Sequence, residues 1–490
     1  MGRTWSQIWD MPDDHQLVIA LFLRGLALVY VIAFASIAVQ IVGLSGAQGI
    51  LPLVEHQHNL ETHLGWQRFT AFPSVFWIWA SDGALEAVAW LGCGFAVLCL
   101  LGFFQRTGFI VCYVFYLSLY HAASLFMNFQ WDTLLLEAGF LSIFLTNGGS
   151  RLVVWLMRWL LFRLRFLSGI SKLTSGDPAW SGLSAVVAYF QVQPLPHVGA
   201  WYAHQLPSVV LMIAAALVLI IEIAVPFLFL APRRARQWGA ALTIGLQLVI
   251  MATSNHNFIN MLTILLCLFL FDDAALKSVL PHRWLRYIPF KPTLPGHIER
   301  SVFAGFAAVI ITTSSAQVYW MVTDQKAKGW SQTLEQHVTR FCLSNRYHVF
   351  PTMKAERLEV VIEWSRDGRT WTPLDFKYKP GNPSNPPTLV MPHQPRLDWM
   401  MWFVPMGRPE FMMFYQRFVE RILEGSEPVI DLLPTSVAKT FKTHGPPKYI
   451  RAQLVNYVFS TPTVRRETGR WWMTTWRQPF APIPWAATSN

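Results

Sequence analysis

The feature that most constrains this chain is a succession of long apolar runs, near 17–44, 84–104, 108–126, 131–147, 151–171, 209–230, 237–253, 258–271 and 301–322. In hydrocarbon such a run satisfies its own backbone only as a helix, so about nine transmembrane helices are expected. The runs at 131–147, 237–253 and 258–271 are short for a core of about 30 Å and would have to tilt, re-enter or sit half-buried. Charged residues make up only 14% of the 490, against about 25% in an average soluble domain. The net charge of +11 includes no basic tract suited to nucleic acid; the expected partner is instead the lipid bilayer. Asp10, Asp13 and Asp14 precede the first run, and no small-residue cleavage site follows it, which reads as a retained helix rather than a signal peptide.

Loop charge sets an expected orientation. With a cytoplasmic N-terminus, the inside loops carry Arg106, Arg151, Arg233, Arg234, Arg236, Lys277, Arg283, Arg286 and Lys291. The outside loops carry little besides Arg68 and Lys172, a strong positive-inside bias. An odd number of spans then puts the loops 45–83 and 172–208, and everything after about residue 325, on the outer, periplasmic or lumenal face. The chain is thus expected to be a helical bundle over 1–324 followed by a mostly β outer domain over 325–490. In the latter, 357–364, 369–374, 375–379, 448–460 and 470–476 read as strands, with Asp367-Gly368 as the hairpin turn. Apolar residues at helical spacing over 409–424, ended by Gly425, read as the domain's one helix.

The stretch 167–180 stands out within this frame. Arg151, Arg158, Arg165 and Lys172 recur every seven residues, and on a helix that spacing keeps them on one stripe. A basic stripe on an apolar helix is costly against lipid and marks a bundle interior, a cavity or a functional path. Two readings follow. Lys172 acts as a base beside a cavity, or Arg158, Arg165 and Lys172 form a structural ion-pair network with Glu137 and Glu222, or snorkel to headgroups. Asp132 suits a helix N-terminus and Asp82 a helix cap, whereas Glu137 lies deeper and needs a partner. The segment 393–399 is dense in polar and aromatic groups. Arg396, Asp398 and Trp399 are candidates for a client contact or for a buried Arg396–Asp398 pair that docks the domain. His56, His58 and His63 with Glu55 and Glu61 match no structural zinc spacing, so no metal is expected. His204, Asn255 and His256 read as satisfied interfacial groups. Cys93, Cys99, Cys112, Cys267 and Cys342 show no paired spacing, which excludes a disulfide framework. The chain has no Gly-x-Ser-x-Gly elbow, phosphate-binding loop or dinucleotide fingerprint.

Several stretches together resemble the lipase maturation factor family: GAQGILP (46–52), PSVFWIWASD (73–82), WDTLLLEAG (131–139), 159–180, QPLP (193–196), WYAHQLP (201–207), 222–236, 255–273, DFKYKPG (375–381), HQPRLDWMMWF (393–403), PKYIRA (447–452) and TGRWW (468–472). The resemblance runs along nearly the whole chain. It implies a polytopic membrane protein with a cytosolic N-terminus that helps exported clients, lipases in the first place, to fold and assemble, with no catalytic residue or cofactor to carry over. Eukaryotic members sit in the endoplasmic reticulum membrane. The absence of glycosylation sequons and the short N-terminal segment point instead to a bacterial homologue in the inner membrane. The pattern Gly169-x-x-Lys172-Leu173 with Trp180 also resembles, over about a dozen residues, vitamin K-dependent carboxylase-like membrane proteins, where a Lys at such a place acts as the base. A membrane enzyme with a lipid-side cavity is therefore the alternative. A transporter is a third reading, without the internal repeat that would favour it.

Overall fold

A computed structural model describes residues 14–146, 150–281 and 296–486, with side chains up to Phe480. Asp10, Asp13, Arg283, Arg286 and Lys291 lie outside the described residues. Each apolar run becomes helical: α1 (Gln16–Ala38), α2 (Asp82–Leu101), α3 (Gln105–Ala122), α4 (Gln130–Ile143), α5 (Arg151–Thr174), α6 (Ser208–Ile223), α7 (Arg233–Thr253), α8 (Ile259–Cys267) and α9 (His297–Val322). Among the described residues, four helical stretches have the length and hydropathy of independent spans: α1, α2, α6 with the turn after it to Leu230, and α9. A fifth arises if the stretch from α8 to Leu270 and the helix Asp273–Val279, bent by 114°, count as one broken span. The nine expected spans are therefore nine helical segments of unequal kind. α4, at 14 residues, is about 21 Å long and too short to cross alone. α7, expected to be short, runs for 21 residues because Arg233–Arg236 belong to its first turn.

α1 is apolar along most of its length, and Phe22, Leu23, Tyr30, Phe34 and Ile37 on it are completely enclosed. Close packing against it depends on missing side chains. A Cβ on Gly139 would strike the Tyr30 hydroxyl, and one on Gly92 would strike the Phe34 ring. α4 is buried all round, from Trp131 to Ile143, its charged residues included.

After α9, the surface helix α10 (Trp330–Arg340) leads into a strap, 341–353, that turns back into the bundle. Cys342, Ser344 and Tyr347 on it are fully buried. Cys342 and Phe350, at φ +50° and +49°, hold left-handed backbone where the strap enters and leaves. A four-stranded antiparallel sheet follows, in the order β2-β1-β3-β4, with β1 at Arg357–Ser365, β2 at Thr372–Pro373, β3 at Tyr449–Phe459 and β4 at Trp472–Ala486. The turn between β1 and β2 is organised by Asp367, whose carboxylate accepts the backbone N–H groups of Arg369 and Thr370 at 2.8 Å each. Those bonds hold its carboxyl well below the usual range.

The expected β content and the single helix are corrected. Residues 375–379 are not a strand, because Asp398 takes the N–H groups of Tyr378 and Lys379 that a ladder would use. The expected helix is there, as α12 (Pro409–Glu424), closed by Gly425 at φ +77°. It is joined by α11 (Arg396–Met401), α13 (Thr435–His444), the single turn Glu427–Ile430 and the short helix Pro462–Thr468. One apolar core runs from α1 through the strap to the sheet, so the region after α9 shares its interior with the bundle.

That region sits on the end of the bundle where α1, α3, α5, α7 and α9 finish. Gln40 after α1 accepts from the Arg396 backbone at 2.8 Å. Asn255 after α7 bonds the Thr388 carbonyl and the Val390 N–H. Trp201 donates to the Ser460 carbonyl at 3.0 Å. The opposite end carries Arg106, Arg151, Arg233, Arg234, Arg236 and Lys277 at helix starts and in a short helix.

Candidate functional site

The intramembrane charges group around three buried carboxylates. Glu222, on α6, is shared by two cations of α5: Arg165 Nη2 at 2.9 Å and Lys172 Nζ at 2.6 Å. Lys172 also donates to the Val349 carbonyl of the strap at 2.8 Å and to the Ser168 carbonyl at 3.0 Å. All three ammonium donors therefore have acceptors. The Trp180 ring lies 5.2 Å from Nζ and donates its own N–H to the Phe350 carbonyl. Lys172 thus pins the strap to the end of α5.

Glu137 finds its partner in Arg163, which is off the seven-residue stripe. The expected pairing of Glu137 with Arg158, Arg165 or Lys172 is corrected for a geometric reason. Arg163 and Arg165 are two residues apart, about 200° around a helix, so one faces α4 and the other α6. Glu137 also accepts from Asn345 at 3.0 Å and Tyr347 at 2.8 Å, both on the strap. Arg158 is bound elsewhere, to the Phe269 carbonyl at 2.7 Å and His15 at 2.9 Å. Arg151 is exposed.

Asp132, expected to serve the α4 dipole, is fully buried and grips Arg396. The guanidinium meets both carboxylate oxygens, at 2.7 and 2.8 Å, and donates to the Phe126 carbonyl at 2.9 Å. Tyr116 donates to Asp132 at 2.6 Å. The Arg396–Asp398 pair is thereby corrected: Arg396 points into the bundle, while Asp398 caps the 378–379 backbone. Arg396, Asp398 and Trp399 are 1, 2 and 3% exposed, so none of them offers surface to a client.

The His-rich segment is the helix Leu53–Leu64, and its side chains do not converge. His56 packs on Phe72, His63 bonds the Asn59 carbonyl and Glu55 pairs with Arg417. Among the described residues no three His, Cys, Asp or Glu side chains are placed to share a metal. Asp82 is not the cap of α2: Ser81 caps it, and Asp82 accepts the Ala47 N–H at 2.7 Å. His256, expected at an interface, is buried against Tyr189. Burial, then the charges of His197 and Lys172, push it down to about 3, so it stands neutral.

Two concavities adjoin these groups. A cavity of about 100 Å³ adjoins Arg165, Lys172 and Glu222 between α5, α6, α7 and α8. An open cleft of about 1000 Å³ lies where the helix Leu53–Leu64, the α3–α4 turn, α10, the strap and α12 meet. Its walls mix Phe126, Phe129 and Met413 with Glu335, Glu410, Arg346 and Arg417. Sequence reasoning missed this cleft because its walls come from five distant segments. Arg163 carried no sequence signal of its own, since Arg158, Arg165 and Lys172 on the same helix could equally have met Glu137.

These features define a class: a polytopic integral membrane protein whose C-terminal region is keyed into one end of its bundle by a buried ion pair and buried hydrogen bonds. Residues 17–278 match the family model described as the lipase maturation factor transmembrane domain, and residues 343–482 match that of the lipase maturation factor C-terminal domain. The Xenopus laevis protein named lipase maturation factor 2 is 32% identical, over 91% of this chain and 79% of its own. Human lipase maturation factor 2 is 32% identical, over 94% and 82%. Human lipase maturation factor 1 is 28% identical, over 92% and 85%. The chain belongs to the lipase maturation factor family. No solved structure matches it.

Proposed function

We propose that this protein assists the maturation of exported clients, of the lipase class that its relatives' names carry, by binding them on its outer face until they have folded and assembled. The observation that carries this reading is the cleft of about 1000 Å³, large enough for a client segment and walled by both apolar and charged groups of both signs. It opens at the end of the bundle opposite the basic one. Positive-inside bias supports a cytoplasmic basic end, with the cleft and the C-terminal region in the periplasm or the lumen of the endoplasmic reticulum. In this reading 1–324 is the membrane part, 325–490 is the outer part, and the cleft lies at their joint. Binding needs no cofactor and no covalent step. An enzyme using Lys172 as base has less support, since its three donors are engaged.

The test is secretion of active lipase from cells lacking their own maturation factor, rescued by this chain. Glu410→Lys, Met413→Asp and Arg417→Glu together alter the exposed cleft wall without touching a buried pair. The triple variant is expected to lose at least about fivefold in rescue at unchanged abundance and melting temperature, since a disrupted interface centre costs a kcal/mol or more. Full rescue by the triple variant would refute the cleft as the client site.

A further inference from the structure

The cavity beside Glu222 has a property that the ion pairs do not absorb. Two cations, Arg165 and Lys172, share one carboxylate there, and neutral His256 leaves that balance unchanged. A buried site with an uncompensated positive charge is costly in an apolar surround. Two further donors line the same cavity: the side-chain amides of Gln247 on α7 and Asn260 on α8. Each residue is 2% exposed, and each amide nitrogen has no acceptor. Buried amide donors are normally satisfied, and leaving one bare costs about 1–3 kcal/mol. A positive charge and two idle donors around one space ask for a single anionic acceptor. The remaining walls are mostly apolar, with Leu164, Val218, Ile250 and Ile259 beside the polar Tyr189 and Thr263. α6 and α7, which close the cavity on one side, carry exposed apolar residues outward, among them Ile213, Leu217, Ile220, Leu248 and Val249. The space is thus one helix away from hydrocarbon.

We propose that this cavity binds the carboxylate end of an aliphatic chain, a fatty acid in the first place. The carboxylate would take the Gln247 and Asn260 amide donors and balance the excess charge of Arg165 and Lys172. A volume of about 100 Å³ holds the carboxylate and the first few methylenes against the apolar wall. The site is separate from the client cleft and does not rest on it.

The experiment uses the full chain in lipid nanodiscs with radiolabelled laurate as probe. The expected result is saturable binding of one laurate per chain, with dodecanol weaker by at least about tenfold because it lacks the charge that makes the hydrogen bonds strong. Gln247→Leu with Asn260→Leu should weaken laurate by at least about tenfold yet leave the ligand-free melting temperature unchanged or raised, since an idle buried donor is lost. Should the double variant misfold, Gln247→Leu alone is read in the same way. Competition by millimolar butyrate would assign the carboxylate to water-borne acids, and its absence to membrane-borne ones. Equal binding of laurate and dodecanol, or undiminished laurate binding by the folded variant, would overturn the proposal.

Discussion

Arg396→Met is the sharpest perturbation of how the C-terminal region is held. It removes a guanidinium that touches both oxygens of Asp132, with side chains 1 and 0% exposed. What remains is a buried carboxylate bonded by Tyr116 alone, at 2.6 Å. Removing one partner of such a pair costs about 3–5 kcal/mol, whereas neutralising both is nearly free because the desolvation penalty disappears with the charges. A chain of this length unfolding as one unit has an unfolding entropy near 1 kcal/mol/K, from about 2.1 cal/mol/K per residue. The single variant should therefore melt about 3–5 °C lower. Asp132→Asn keeps an acceptor for Tyr116 and strands Arg396 instead, so it should fall by a similar amount. The double variant should recover at least half of the loss. Melting curves of the four proteins in one detergent form the cycle. A double variant no more stable than the sum of the singles would refute the pairing, and an unchanged Arg396→Met would refute the burial.

Lys172→Ala should lower melting temperature and abundance together with any activity, because Glu222 and the Val349 carbonyl both lose a donor; activity lost at unchanged melting temperature would establish a catalytic Lys172 instead. Glu137→Gln strands Arg163 in the bundle and should destabilise by about 3 kcal/mol, with hydrogen exchange rising first at 342–347; unaltered protection there would count against the strap's anchor. A chain ended before residue 325 should insert poorly or be degraded, since Asp132 and Glu137 lose partners after that point; a stable bundle of full abundance would show that the two parts fold apart. Acid should weaken the fold. Burial, then the charges of Arg396 and Lys377, lower His393 to about 4, and His256 stands at about 3. Between those values and the ordinary 6.5 the unfolded chain binds more protons, so the stabilisation is complete above pH 6.5 and declines as pH falls toward 4. Melting temperature should drop between pH 7 and 5 and drop less in His393→Gln; a flat profile would contradict neutral buried histidines.

Membrane character, the positions of the helices, the β1–β2 turn and α12 were determined by the sequence alone. Each rests on local rules: hydropathy over a run, Asp-Gly at a turn, helical spacing ended by glycine. Glu222 with Arg165 and Lys172 was legible too, since a seven-residue stripe must find a counter-charge. Tertiary structure alone decided which partner each remaining charge takes. Arg163 and Arg165 differ by two positions, and only the placement of α4 and α6 on either side of α5 sends them to different carboxylates. Arg396 and Asp398 look like a local pair, yet α11 turns one into the bundle and the other toward the 378–379 backbone. The strap, the cleft and the idle amides of Gln247 and Asn260 depend on segments a hundred or more residues apart meeting. Periodicity records which face of an element is buried, but it carries no information about which neighbour buries it.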